Sequence, residues 1–227
     1  LRLDAVVFDF DGVIIDTETA RFEVWEKIFE EHGQVLPREV WVKSIGRSEY
    51  VVNPYDLLRE VTGEHIDIDR LRLYEKKMED EYIARKPLTP GLVERMDEAR
   101  NAGARLAIAT SASRRYVEKH LRDRGIFSCF DLLVCRDDVT KHKPDPEPYK
   151  NAVESLGADF SCSLAVEDSP AGIESAVTAG LFCVAIAGNM TKEMNLNRAH
   201  RIVNSLTDIT FKSIAERNFK IEYSGKN

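Results

Sequence analysis

The sequence predicts an α/β fold, a mostly parallel sheet with helices on both faces, interrupted early by an all-helical insertion. Three observations carry this. Six short apolar runs, most of them rich in β-branched residues, recur along the chain. Amphipathic stretches with helix start and stop signals separate most of them. Between the first and second runs lies a stretch of about seventy residues with helical periodicity and no buried strand.

The first run, Asp4 to Phe10, ends at Gly12 and reads as a buried parallel strand feeding a loop. The insertion then runs from Thr17 to Lys86. Phe22, Trp25, Phe29 and His32 recur on one helical face before Gly33, and Asp67 to Arg85 is charged and strongly helix-favouring. A helix follows, opening at Thr89 and Pro90 and carrying Leu92, Val93, Met96 and Ala99 before Gly103. Further strands are expected at Arg105 to Ala109, Leu132 to Cys135, Ser163 to Val166, Phe182 to Ala187 and Arg201 to Val203. Between them lie helices beginning at Ser113, carrying Tyr149, Ala152, Val153 and Leu156, and opening at Ser169-Pro170. Such alternation implies βαβ crossovers. An insertion placed after the first strand's loop sits over the carboxyl end of the sheet, where α/β proteins bind ligands, and suits a lid.

Composition narrows the function. The 227 residues carry a net charge of −7, with 43% apolar and 31% charged residues, so a general affinity for nucleic acid or an anionic membrane is not expected. An anionic substrate would need a locally positive site. Asp4 and Asp9 bracket only four apolar residues, too few for a signal peptide, and the uncharged stretch from Ser175 to Thr191 is broken by Gly180 and Gly188. The expectation is a cytoplasmic protein without a membrane span. Cys129, Cys135, Cys162 and Cys183 lack zinc-site spacing and read as reduced thiols.

Chemistry concentrates at the ends of the predicted strands. In Asp9-Phe10-Asp11-Gly12-Val13, residues two apart in extended chain share a side, so both carboxylates face one site while Phe10 turns into the core. An Asp-Gly pair also makes ordinary turns, but two clustered acids after a buried run need a cation or a proton. Glu167-Asp168 ends another strand; helix N-termini favour acids on their own account, yet convergence with Asp9 would form an all-oxygen set suited to magnesium. Thr110 and Ser111 follow the second core strand and suit either phosphate binding or a helix cap. Lys143, stiffened by Pro144 and Pro146, offers a cation to the same edge, although loop lysines are commonly solvated.

These four clusters, in this order, resemble the haloacid dehalogenase superfamily, and the insertion resembles the helical cap of its subgroup of β-phosphoglucomutases and small-metabolite phosphatases. The resemblance covers essentially the whole chain. It implies a Rossmann-like core in residues 1–15 and 88–227 and a cap in 16–87. It implies a magnesium-dependent phosphatase acting on a small phosphorylated metabolite such as a sugar phosphate. Asp9 would be the nucleophile, forming an aspartyl-phosphate, and Asp11 the general acid and base. Magnesium would be held by Asp9, the backbone carbonyl of Asp11 and Asp168, with Glu167 acting through water; Thr110, the Ser111 amide and Lys143 would hold the phosphate.

The chain departs from the subgroup on the cap side. A substrate-contacting histidine expected after Asp16-Thr17-Glu18 is absent, and Arg21 stands near its place. Gly46-Arg47-Ser48 resembles a substrate-facing turn, so Arg21 and Arg47 are the candidate cap contacts. A lysine expected in the mutase cap falls at Met78, beside Lys76 and Lys77. Phosphoglucomutase chemistry and a non-catalytic phosphate-sensing module are the alternatives. Oligomeric state and a role for the last nine residues, from Phe219, are not legible.

Overall fold

The computed structural model describes residues 2–45, 51–63 and 65–218. Six parallel strands form one sheet in the order β3-β2-β1-β4-β5-β6, with β1 Ala5–Phe8, β2 Arg105–Ala109, β3 Leu132–Val134, β4 Ser163–Glu167, β5 Phe182–Ile186 and β6 Arg201–Val203. Each predicted strand is present: β1, β3 and β5 are shorter by one to three residues, β2 and β6 match, and β4 runs one residue further, to Glu167. β1 is paired on both sides and covered on both faces, which is why its four residues are all apolar and buried.

Strand periodicity sorts the core by size. Val6, Phe8, Leu106, Ile108, Leu164, Val166, Val184 and Ile186 point to one face. Ala5, Val7, Ala107, Ala109, Ala165, Cys183 and Ala185 point to the other. The small face lets α7 (Glu147–Leu156) and α8 (Pro170–Thr178) approach closely, with Tyr149, Ala152, Val153, Ile173 and Ala176 packed on it. The large face takes α5 (Leu92–Asn101), α6 (Arg114–Asp123) and α9 (Phe211–Asn218).

Between β1 and β2 lie α1 (Thr17–Glu31), α2 (Arg38–Trp41), α3 (Pro54–Thr62) and α4 (Ile68–Arg85). Asp16, Asn53 and Asp67 cap α1, α3 and α4 by accepting backbone N–H groups. The four helices enclose a separate apolar cluster of Phe22, Trp25, Phe29, Trp41, Leu58 and Met78, into which Met190, from the loop after β5, also inserts. His32, expected on that face, sits instead at the C-terminal end of α1, its ring bonded to the Ile28 carbonyl. The chain leaves and re-enters the sheet layer side by side, because Ile15 bridges Leu88 and Thr89 N–H donates to the Ile14 carbonyl.

The helix expected to open at Thr89-Pro90 begins at Leu92. Gly91 precedes it at φ 83°, and a Cβ there would lie 2.8 Å from the Thr207 nitrogen, so close approach of the 206–207 turn fixes the start. All four cysteines are free thiols. Among the described residues no helix is long and apolar enough to cross a membrane.

Trp25 is 1% exposed at the centre of the four-helix cluster. Trp25→Ala is expected to lower the unfolding free energy by about 3–5 kcal/mol, read by urea denaturation.

Candidate active site

Parallel pairing in register assembles the site. Phe8 lies beside Ile108 on one neighbour and Val166 on the other, so the residues that follow each strand emerge at one edge. Asp9, still held by its N–H to the Val166 carbonyl, meets Glu167 at the end of β4 and Asp168 beyond it. Thr110 follows β2, and Lys143 reaches in from the loop before α7, where its peptide bond to Pro144 is cis.

Lys143 is the hub. Its ammonium is buried and donates to Asp9 Oδ1 at 2.8 Å and Glu167 Oε1 at 2.6 Å. Burial works against this charge, but Asp9 and Glu167 outweigh it and keep the lysine protonated. Glu167 is wholly enclosed. Its Oε1 also accepts from the Tyr149 hydroxyl at 2.7 Å, while Oε2 accepts from the Asp168 and Ser169 N–H groups and the Ser169 hydroxyl. Gly172 makes room for it, since a Cβ there would fall 1.9 Å from Oε1.

Asp9, Glu167 and Asp168 each present an oxygen within 4.8 Å of the others. Burial pushes Asp9 up to about 7 against the pull of Lys143, with Glu167 and Asp11 adding repulsion. Asp168 is raised further, by burial and then by Glu167 and Asp9. Three hard oxygen donors around a single ammonium leave surplus negative charge, the condition that suits a hard divalent cation. Because both Glu167 oxygens already accept hydrogen bonds, Asp9 and Asp168 are the donors best placed to touch one. Gly12, at φ 80°, packs directly on Asp168, and a cavity of about 310 Å³ opens beside them between Glu18, the 86–90 segment and the loop after β5.

The Asp11 side chain turns away from this cluster. Its Oδ1 accepts from the Thr17 hydroxyl at 2.6 Å and lies 3.4 Å from an Arg21 nitrogen. Arg21, on α1, donates to Glu79 of α4 at 2.7 Å, to Glu18 at 3.1 Å and to the Tyr116 hydroxyl of α6 at 3.2 Å. It is a fixed group between the helical layer and Asp11, not a solvated side chain. Arg47, with its Gly46-Arg47-Ser48 turn, and the segment from Phe219 lie outside the described residues.

The Thr110 hydroxyl accepts from the Ala112 N–H at 3.1 Å, whereas the Ser111 amide has no partner among the described residues. Ser113 precedes α6 without a side-chain cap bond; Asp137 accepts the Arg114 N–H in its stead. Met78 is buried within the helical cluster and faces away from the site, while Glu79 of the same helix faces Arg21.

Thr17, Glu18, Glu79, Tyr116 and Tyr149 were not among the candidates. The two tyrosines left a trace in the sequence, for each interrupts an aliphatic helical stripe with a hydroxyl that needs a partner once buried. Glu79 left none, lying in a helix where charge is the rule.

Gly172→Ala raises helix propensity yet is expected to lower stability by about 1–3 kcal/mol, because the added methyl meets the enclosed Glu167 carboxylate; thermal unfolding reads it. His120 gives a pH test. It is buried against Tyr116 with Nε2 unpartnered among the described residues, and burial, aided by Lys119 and Arg124, lowers its pKa to about 4. From pH 6.5 down to 4 the unfolded chain takes up a proton that the folded one refuses, so stability falls as pH falls. His120→Gln is expected to remove up to about 2 kcal/mol of that loss in urea titrations at pH 7 and 4.5.

Known proteins share this sequence pattern and fold. The chain is 38% identical over 194 residues to YhcW of Bacillus subtilis, a protein named as a phosphatase, covering 83% of this chain and 86% of that one. It is 30% identical over 214 residues to validoxylamine A 7'-phosphate phosphatase of Streptomyces hygroscopicus subsp. limoneus, covering 92% and 96%. A Thermotoga maritima structure described as a β-phosphoglucomutase superposes with a TM-score of 0.76 at 25% identity, over 94% of this chain and 99% of that one. The pattern of the haloacid dehalogenase-like hydrolases matches residues 6–186, and with its parallel sheet and strand-end acids the chain belongs to that family.

Proposed function

We propose that the protein is a magnesium-dependent phosphatase that hydrolyses a small phosphomonoester through an aspartyl-phosphate on Asp9. The observation that carries the reading is the separation of the two aspartates that follow β1. Asp9 is buried among Lys143, Glu167 and Asp168, whereas Asp11 is held apart by Thr17 and Arg21 with Oδ2 free of hydrogen bonds among the described residues. One is placed to meet phosphorus and the other to move a proton.

A carboxylate oxygen of Asp9 attacks the phosphorus, the ester P–O bond breaks, and Asp11 gives its proton to the departing oxygen. Asp11 then takes a proton from water, which attacks the aspartyl-phosphate and releases inorganic phosphate with Asp9 restored. Lys143, bonded to Asp9, offsets charge on the nucleophile and the phosphoryl oxygens. The Ser111 amide and the Thr110 hydroxyl orient those oxygens. Asp9, Asp168 and the Asp11 carbonyl, with Glu167 behind them, would hold magnesium, which would supply charge neutralisation for the phosphoryl group. Residues 16–87 act as a cap that excludes bulk water, with Arg21 on its substrate side. The small-metabolite substrate is supported by the relative whose name specifies a phosphorylated compound, validoxylamine A 7'-phosphate.

With magnesium, the wild type is expected to release phosphate from members of a panel of small phosphomonoesters. Asp9→Asn should reduce kcat at least about 10³-fold, and chelation of divalent metal should abolish turnover. Conversion of β-glucose 1-phosphate to the 6-phosphate without net phosphate release would assign the mutase reaction instead.

A further inference from the structure

The cavity of about 310 Å³ beside the strand-end acids is lined by Asp168 and Gly12 but not by Asp9, Thr110 or Lys143. Asp168 is only 4% exposed, yet its carboxylate has neither a hydrogen bond nor an ion pair among the described residues. A buried carboxylate so placed is costly unless a cation or a donor meets it from the cavity. Glu18, in the first turn of α1, lines the same cavity. One of its oxygens lies 3.1 Å from Arg21, and the other has no partner among the described residues. The charge of Glu18 reaches Asp168, whose ionisation it opposes after burial, Glu167 and Asp9.

The other charged groups lining this cavity are engaged. Asp16 caps α1 through Oδ1 and accepts from the Asn189 side chain through Oδ2, while Lys86 donates to both oxygens of Glu23. The Asp168 carboxylate and one oxygen of Glu18 are the charged acceptors left over. Glu18 stands outside the set of Asp9, Glu167 and Asp168, whose oxygens lie within 4.8 Å of one another, so it is not placed as a direct ligand of the same ion. Magnesium demands near-octahedral oxygen coordination and sheds its water reluctantly. Asp9, Asp168, the Asp11 carbonyl and one phosphoryl oxygen would leave the remaining positions to water, whose protons need acceptors in a buried site. At about 30 Å³ for each water, the cavity has room for several.

We propose that Glu18 is an outer ligand of the divalent ion, its free oxygen accepting a hydrogen bond from a water that the ion on Asp9 and Asp168 holds towards this cavity. The assignment rests on the metal-dependent phosphatase reading. A carboxylate suits the position better than an amide or a hydroxyl, because a water polarised by a cation donates most strongly to an anionic acceptor. Arg21 is shared by Glu18, Glu79 and Asp11, so the ion's water shell is joined through one guanidinium to the group that holds the general acid.

The test reads metal binding directly. Mn²⁺ is titrated by electron paramagnetic resonance into the wild type, Glu18→Gln, Glu79→Gln and Asp168→Asn, and thermal unfolding of each is followed with and without magnesium. Glu18→Gln is expected to raise the Mn²⁺ Kd by about tenfold and to shrink the magnesium-induced rise in Tm, judged against the metal-free Tm of the same variant, so a change in fold stability alone does not mimic the result. Glu79→Gln removes the same charge from the same arginine but from outside the cavity, and is expected to leave Kd near the wild-type value. Asp168→Asn is expected to lose most of the binding. A wild-type Kd in Glu18→Gln, or an equal loss in Glu79→Gln, overturns the role of Glu18 and leaves the metal reading standing. Binding of Mn²⁺ that is absent in the wild type, or unchanged by Asp168→Asn, overturns the metal reading and this inference with it.

Discussion

The ammonium of Lys143, enclosed between Asp9 and Glu167, is the interaction on which the rest of the site depends. Three buried acids at neighbouring strand ends repel one another, and the sheet can bring them together only if a cation or a proton is enclosed with them. Much of the local architecture serves that enclosure. Tyr149 and the Ser169 hydroxyl complete the shell of Glu167, and Gly172 leaves space for its carboxylate. One ammonium faces three carboxylates, a donor set of the kind that suits a hard divalent ion.

The asymmetry of the sheet explains how this enclosure is reached. Alanines at 107, 109, 165 and 185 thin one face, so α7 seats Tyr149 against the strand ends while the bulky opposite face fills the space beneath α5 and α9. The same residues that look like plain core thereby set the position of a polar side chain in the site. Fold and site share one layer of packing.

Much of this was legible in the sequence. The strand-end acids, Thr110 and Lys143 stood out because short apolar runs with glycine and proline boundaries place their following residues at one edge of a parallel sheet. The cap side was less legible, for Arg21 and Glu79 meet only through the packing of α1 on α4, fifty-eight residues apart. Met78 illustrates the same limit. Alignment on a lysine of the subgroup drew attention to that position, but helical phase turns it inward and leaves Glu79 towards Arg21. Periodicity finds a face, and only tertiary contact says what it looks at.

Met190 belongs in sequence to the loop after β5 but in packing to the helices α1 to α4. The same loop borders the cavity beside Asp168, and the Asn189 carbonyl accepts from Arg38 of α2. Those helices are thus not a self-contained cassette. Exchanging them between members of the family would leave an unfilled socket unless residues 188–191 travelled with them, so the modular unit that evolution or a protein engineer can move is discontinuous in sequence.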